Sequence, residues 1–306
     1  SGGLVGALSP HVPENWNTTK AQQFRSLDMA EGYWNEVAKA SGRDPGYARL
    51  GRIQPLADEA AVELARERAR TAEELWEGRY RWEVLPADGF ADLVESPSGY
   101  VVHDTLSARL HPRMALRALV QALEAKGAEI TTEPCEGDTS VHATGVAGLM
   151  ELNGLAGEKT VGTGVKGQAA LLDCNLGPVP HVFCAGTFVI PHADGRVAVG
   201  STSEREWDDP LSTDDQLDEV IERARALCPA IREAQVVERW AGLRPRTRSR
   251  APMLGPHPLH EGAFIANGGF KIGFGMAPLV AELMADLVVE GMNRIPPEFR
   301  PEASLS

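Results

Sequence analysis

The chain has little of what marks secreted, membrane or metal-binding proteins. Its four cysteines (Cys135, Cys174, Cys184 and Cys228) are scattered, with no CxxC motif and no His/Cys cluster. This pattern predicts reduced, structural thiols in the cytoplasm and no metal site. No apolar run approaches the ~20 residues needed to span a bilayer, and there is no signal-peptide pattern.

Positive charge is also scarce. The chain has 30 Lys and Arg against 43 Asp and Glu, for a formal net charge of −13. Nucleic acids and anionic membranes bind basic faces, so the composition argues against both as partners. With 306 residues, 43% of them hydrophobic, the chain is long enough for a large core and two domains.

Glycine, in contrast, is concentrated between Ala263 and Val288. This stretch, AFIANGGFKIGFGMAPLVAELMADLV, predicts a short strand, a Gly-rich turn and a helix that opens with Pro278 near its first turn. Glycine permits positive φ and a close approach of the backbone to a ligand, and Lys271 supplies a cation. Two interpretations stay open: a site for an anionic or electron-rich ligand, or a tight turn without one.

Helical spacing of apolar residues predicts the other helices. They cover Thr18 to Ser41, Asp58 to Gly78, Met114 to Lys126, and the segment that Ser212 to Asp215 caps and that runs to Leu227. The strand predicted at Ala128 to Thr131 and the one at Val141 to Gly145 follow a helix, which is typical of a parallel α/β unit.

Residues 162–167 match GxGxxG literally, but the context argues against a dinucleotide fingerprint. No clear strand precedes the motif, and Gln168 to Asp173 predicts a strand where a phosphate-capping helix is required.

Four arginines follow a predicted strand that runs from Val236 to Trp240. They are Arg244, Arg246, Arg248 and Arg250. Guanidinium groups pair with carboxylates bidentately, which indicates an anion site. The alternative is a solvated basic loop paired with surplus acidic residues, and Arg244 is the strongest candidate because it is closest to the strand.

Six segments in this order resemble the D-amino-acid oxidase family of FAD-dependent oxidoreductases, on its glycine oxidase and sarcosine oxidase side. The segments are Gly2-Gly3 with Ser9-Pro10-His11, Val141 to Gly145, Gly164 to Gln168, Phe188 to Thr202, Trp240 to Thr247, and Gly268 to Gly273. The resemblance runs from Ser1 to about Glu290. WAGLRPRT and the Gly-rich turn are its most specific motifs.

The resemblance implies an α/β (α+β) fold, in which a Rossmann-like FAD-binding domain is interleaved with a substrate domain. The substrate domain is expected to carry a mixed, largely antiparallel sheet. Residues 1–45, 108–165 and 241–306 are assigned to the first domain, and residues 46–107 and 166–240 to the second.

The 306 residues do not include the strand, GxGxxG turn, helix and second strand with which members of the family open, and Ser1 corresponds to a position just beyond that segment. We therefore expect the chain to be part of a longer protein. Non-covalent FAD is implied, because no cysteine stands where sarcosine oxidase tethers its flavin, and whether this shorter form holds FAD stays open.

The resemblance also implies the site residues. Arg244, Lys271 and Phe188 are assigned to substrate, with Phe188 replacing a tyrosine of glycine oxidase. FAD is assigned to Gly2, Gly3, Ala143, Thr144, Gly145, Gly242, Gly268, Gly269, Phe270, Lys271, Ile272 and Gly273. Arg244 and Lys271 reach one bound amino acid only if the segments around Trp240 and Gly268 are neighbours.

The implied reaction is oxidation of the C–N bond of a small amino acid or N-methyl amino acid. A hydride passes to flavin N5, the imine hydrolyses, and oxygen or another acceptor reoxidises the flavin. No side-chain base is required if the amine binds neutral. Two alternatives remain: a flavin domain that acts on a modified tRNA nucleoside, which the charge disfavours, and a degenerate, non-catalytic flavoprotein fold.

Overall fold

The computed structural model describes residues 2–133, 137–157 and 159–305, so Cys135 lies outside the described residues. The helices are α1 (Thr18–Ser41), α2 (Glu59–Leu75), α3 (Pro112–Ala125), α4 (Gly145–Glu151), α5 (Asp215–Leu227), α6 (Gly273–Glu290) and α7 (Glu302–Leu305). The strands are β1 (Ala7–Leu8), β2 (Arg52–Pro55), β3 (Trp82–Pro86), β4 (Tyr100–Asp104), β5 (Ala108–Arg109), β6 (Ser140–His142), β7 (Gly162–Asp173), β8 (His181–Cys184), β9 (Thr187–Pro191), β10 (Val197–Gly200), β11 (Gln235–Thr247), β12 (Met253–Pro256) and β13 (Ala263–Asn267).

Two sheets organise the fold. The larger has eight strands in the order β11-β7-β10-β9-β8-β2-β4-β3, and β2–β8 is its parallel pair. The smaller has the order β12-β13-β6, and there β13 and β6 are parallel. The mixed α/β fold and the largely antiparallel sheet are therefore confirmed. Two predicted domain boundaries fall inside β7 and β11, and the division into domains stays a prediction.

The predicted helices form where their capping residues place them. The Asn17 side chain accepts the Lys20 N–H (3.0 Å) at the start of α1, and Gly42 ends the helix with φ 64°. At the start of α2, the Asp58 side chain accepts the Ala61 N–H at 2.8 Å. These contacts satisfy backbone groups that a helix end otherwise leaves without partners.

Two local predictions were wrong. Residues 128–131 are exposed and form no strand, because no described strand lies beside them to pair with. Helix α6 begins at Gly273, a turn earlier than predicted, so Pro278 lies inside it. By contrast, the rejection of residues 162–167 as a fingerprint agrees with the structure, since they form the first half of β7.

Helices cover the sheets on separate apolar surfaces. Helix α5 packs Leu217, Val220 and Ala224 against the larger sheet, and α1 packs between α3 and α6. Within the described ranges, no helix has both the length and the apolar content to cross a bilayer. These layers leave the ends of β11 and β13 adjacent to each other, and most of the predicted site residues lie there.

Candidate active site

The arginine-rich run lies largely on a strand. β11 continues through Trp240 to Thr247 and pairs with β7 as far as Gly162, so the strand end predicted at Trp240 was wrong. A long neighbouring strand supplies backbone partners all along the run, and this outweighs the local effect of Pro245. Arg248 and Arg250 follow in a turn. The alternative of a basic loop therefore fails for Arg244 and Arg246.

Arg244 is held by three hydrogen bonds. Its Nη1 donates to the carbonyls of Lys166 (3.4 Å) and Thr202 (3.2 Å), and its Nη2 donates to Ser201 Oγ (2.8 Å). Its guanidinium covers Gly167 so closely that a Cβ there would overlap it. A guanidinium has five N–H groups, so Nε–H and one Nη2 N–H are left over by these contacts. These two groups match the bidentate geometry of a carboxylate.

Burial lowers the pKa of Arg244, and the Glu204 carboxylate acts in the opposite direction. The group nevertheless stays charged, because guanidinium titrates far above neutral pH. A desolvated cation attracts an anionic ligand more strongly than one in water, since the local dielectric is lower.

Behind Arg244 lies a buried polar network. Lys166 is 3% exposed and lies 3.6 Å from both Glu204 and Asp214. The Gln168 amide donates to the same two carboxylates (3.1 and 2.8 Å), and the Thr202 hydroxyl donates to Glu204. The network fixes the backbone at Lys166 and Thr202, whose carbonyls hold Arg244.

The Gly-rich turn lies beside this strand. The Phe270 N–H donates to the Pro245 carbonyl at 3.1 Å, so the segments after Trp240 and Asn267 are neighbours. Gly268 has φ 75°, and a Cβ there would overlap Thr247. Thus glycine is required at this position by both conformation and space.

Lys271 lies in the same turn, where its Nζ is 5.6 Å from the Phe270 ring centroid and its charge interacts with that of Arg244. Desolvation, followed by the charge of Arg244, lowers the pKa of Lys271, although more than a third of the residue is exposed. This solvent contact weakens the repulsion between the two cations. The structure thus brings the two predicted carboxylate contacts together.

The turn after β6 is tied to the Gly-rich turn. Asn267 Nδ2 donates to the Gly145 carbonyl (2.9 Å), and Asn267 Oδ1 accepts the Gly268 N–H (2.7 Å). Ala143 and Thr144 are exposed, and Gly145 begins α4 with φ 62°. Asn267 therefore joins the two segments that were assigned to FAD.

Phe188 belongs to a row of residues that crosses four strands. Trp240 pairs with Ala169, Ala169 with Gly200, and Gly200 with Phe188. Gly3 packs on the Trp240 ring, to which a Cβ would come within 3.4 Å. Sequence reasoning did not assign Trp240 or Ser201 to the site. The sequence does contain a signal for Trp240. Trp240, Gly242 and Arg244 are spaced two residues apart, and alternate residues of a strand lie on the same face.

The residues predicted to bind FAD differ in access. Open space surrounds Gly2 and Gly273, where a Cβ would meet nothing within 4 Å. In contrast, Gly242 and Gly268 are buried, and Trp240 and Thr247 respectively occupy the space beside them. Gly3, Gly145, Gly269, Phe270 and Ile272 are half-buried. The first group can contact a ligand, whereas Gly242 makes room for Trp240 along β11 and Gly268 shapes the Gly-rich turn.

The same architecture occurs in solved amino-acid oxidases. Glycine oxidase from Geobacillus kaustophilus superposes with a TM-score of 0.78 at 21% identity, covering 98% of this chain and 87% of that one. Iminodiacetate oxidase from Chelativorans sp. superposes at 0.80, again at 21% identity, with 97% and 88% covered. These similarities show the fold alone.

Residues 1–287 match the family of FAD dependent oxidoreductases, and the chain belongs to that family. Among characterised sequences, glycine oxidase from Pseudomonas putida is 37% identical over 143 residues. That match covers 46% of this chain and 39% of the Pseudomonas putida enzyme, so it spans well under two thirds of the relative. The resemblance to the D-amino-acid oxidase family and to glycine oxidase is confirmed.

FAD is the cofactor of this family. The residues present fit such a group, because the backbone at Gly2 and Gly273 has open space beside it, and Lys271, two residues before Gly273, adds a positive charge that interacts with Arg244. Exposed Ala143 and Thr144 extend this open surface along the small sheet.

Proposed function

We propose that the protein oxidises the C–N bond of a small amino acid or N-methyl amino acid of the glycine, sarcosine or D-amino acid type. The observation that carries the proposal is Arg244, fixed by three hydrogen bonds and left with two N–H groups in bidentate geometry. The names of the similar proteins, glycine oxidase and iminodiacetate oxidase, support a small amino-acid substrate.

In this proposal Arg244 binds the substrate carboxylate and Lys271 adds a second positive charge. Phe188 and Trp240 bound the apolar side of the site, where the substrate α-carbon lies. Two contacts on one carboxylate fix its orientation, and orientation is the main contribution the protein makes. FAD, when bound, would supply the chemistry by accepting the hydride of the substrate Cα–H bond, so that the C–N bond becomes the C=N bond of an imine.

We assign FAD to the residues that the resemblance named. The open backbone at Gly2 and Gly273, with the half-buried Gly3, borders it on one side, and Ala143, Thr144 and Gly145 border it on another. Gly242 and Gly268 act indirectly, by allowing Trp240 and Thr247 to pack. The imine product hydrolyses after release, and oxygen or another acceptor takes the electrons.

The proposal includes the division into an FAD domain (1–45, 108–165 and 241–306) and a substrate domain (46–107 and 166–240), together with a cytoplasmic location. The surplus of acidic residues supports partners other than nucleic acid or membrane lipid.

The test is reduction of the FAD-loaded protein without oxygen. Glycine, sarcosine, D-amino acids and proline are added in turn, and loss of the yellow colour of oxidised flavin is recorded. We expect bleaching with at least one of them and an Arg244→Ala variant whose KM rises at least about tenfold. Arg244→Lys keeps the positive charge but lacks the paired N–H groups that bind a carboxylate bidentately, so it should recover part of the lost substrate binding. An FAD-loaded protein that none of these substrates reduces would favour a non-catalytic fold.

A further inference from the structure

Three histidines meet on the small sheet, away from Arg244. They are His142 at the end of β6, His257 just after β12, and His260 in the turn that leads to β13. One ring nitrogen from each lies within 4.8 Å of the other two, and the ring centroids are 4.4 to 5.0 Å apart. More than a hundred residues separate His142 from the other two, so the cluster exists only in the fold.

The sheet brings the rings together. The His257 N–H donates to the Ala263 carbonyl (2.8 Å), and Ala263 pairs with Ser140 on β6. Alternate residues of a strand share a face, so His142 projects on the same side as Ser140, Ala263 and His257. Ala263 is small, which leaves room for the two imidazoles to meet above it.

We propose that His142, His257 and His260 bind one divalent transition-metal ion of the zinc class. Neutral imidazole is a preferred ligand of Zn²⁺, Cu²⁺, Ni²⁺ and Co²⁺. Zinc–nitrogen bonds of about 2.0–2.1 Å place tetrahedral ligand atoms roughly 3.4 Å apart, so the rings must close by about 1.5 Å at most. His260 is exposed in a turn and can move this far by rotating its side chain. A fourth position remains for water.

The surroundings give the ligands unequal support. Ser140 Oγ lies 3.2 Å from His142 Nε2, so it can accept a hydrogen bond from Nε2–H while Nδ1 binds the ion. His257 Nδ1 instead accepts the Leu259 N–H (3.1 Å), and metal ligation by either ring nitrogen disrupts that bond. We therefore expect weaker binding than at a site in which every ligand is supported.

Co²⁺ titration of the metal-stripped chain tests the site. We expect one Co²⁺ per chain, with the intense visible absorption of tetrahedral coordination, and its loss on addition of Zn²⁺. His260→Ala removes an exposed ligand without disturbing the core, and we expect it to weaken Co²⁺ binding by about tenfold or more. His260→Asp keeps a ligand oxygen and should restore part of the affinity.

His103→Ala is the matched control, since it removes a partly buried imidazole outside the cluster and should leave the titration unchanged. Ser140→Ala should cost up to about tenfold, because it removes the partner of His142. Two results would overturn the proposal: a His260→Ala variant that binds Co²⁺ as tightly as the parent, or a spectrum with only the weak bands of octahedral Co²⁺. Neither readout depends on FAD or amino-acid oxidation.

Discussion

The proposed site has two parts, a carboxylate region and a nucleotide region named for the ligands proposed for them, and they differ in how completely the chain builds them. The carboxylate region, Arg244 with Ser201, Thr202 and the Lys166 carbonyl, lies in an eight-stranded sheet and is fixed by hydrogen bonds. The nucleotide region, Ala143 to Gly145, follows a three-residue strand at the edge of the small sheet and is largely exposed.

We expect the carboxylate region to orient the substrate and the nucleotide region to help attach the cofactor. A side chain whose partners are already in place loses little entropy when a ligand arrives, so the carboxylate region can direct a reacting group. The nucleotide region makes one described side-chain contact to the Gly-rich turn, through Asn267. We therefore expect changes near Arg244 to alter stability and turnover, and changes near Gly145 to alter cofactor affinity modestly.

Acid should give the largest effect, because two histidines at strands of the eight-stranded sheet, His181 and His192, are buried. Burial lowers the pKa of His181 to about 3 and that of His192 to about 4. Both rings are neutral when folded, so stability is complete above pH 6.5 and is lost as pH falls toward 4, where the unfolded chain binds protons that the fold excludes. The loss is on the order of 3 kcal/mol per ring, seen as a fall in Tm.

His192→Gln separates titration from hydrogen bonding. His192 Nε2 lies 2.8 Å from the Leu4 carbonyl, and a glutamine amide can donate to the same carbonyl without titrating. The variant should lose less stability than the parent between pH 6.5 and 4. Equal losses of stability in the parent and the variant would show that protonation of His192 does not contribute to the acid sensitivity.

Glu204→Ala should have the next largest effect, because it leaves the buried Lys166 ammonium with Asp214 alone. Leaving a buried charge without a partner costs about 3–5 kcal/mol; because Asp214 remains 3.6 Å from Lys166, we expect a loss below that range, which urea unfolding would measure. The control is Glu219→Ala, which breaks an exposed pair with Arg223 and should cost about 0.5 kcal/mol or less. Similar losses for the two variants would mean that the network does not stabilise the carboxylate region.

Gly167→Ala should alter function more than stability. The new methyl group overlaps the Arg244 guanidinium, which is the end of a flexible side chain and can swing away. We expect KM to rise about tenfold or more, with a smaller fall in Tm because the displaced guanidinium gives up its three hydrogen bonds. Gly32→Ala, in α1 with nothing within 4 Å of its new methyl, is the control. An unchanged KM in Gly167→Ala would show that the position of Arg244 is unimportant.

Asn267→Ala should give the smallest effect. It removes the hydrogen bond from Asn267 to the Gly145 carbonyl and should weaken FAD binding by about 1 kcal/mol, or roughly fivefold, as read from flavin fluorescence. Substrate KM should not change in the FAD-saturated protein. A larger effect than that of Gly167→Ala on KM would reverse the ranking of the two regions.

Local patterns were sufficient for α1, α2, α3 and α5 and for the rejection of the GxGxxG match, but not for α4, α7 or the start of α6. The cap at Asn17 and the end at Gly42 depend on residues within a few positions, so the sequence contains them. Wrong predictions occurred where a distant partner decided the outcome. β11 extends past Trp240 because β7 lies beside it and pairs with it. Residues 128–131 form no strand because none of the described strands lies beside them.

The order of motifs predicted the neighbours Arg244 and Lys271, but not the side chains that complete the site. Ser201 and Trp240 reach it through strand register, which one sequence does not reveal. The histidine cluster was missed for the same reason. His142 joins His257 and His260 only because β6 and β12 flank β13.

The pairing of β11 with β7 also sets where the chain can tolerate changes of length. A strand rises about 3.3 Å per residue, so Trp240 and Arg244, four residues apart, are held roughly 13 Å from each other. One residue inserted between Trp240 and Arg244 would increase the distance between them and turn one of the two side chains to the opposite face of the sheet. The turn after β12 carries no such constraint on Arg244, so insertions there would leave the carboxylate region intact.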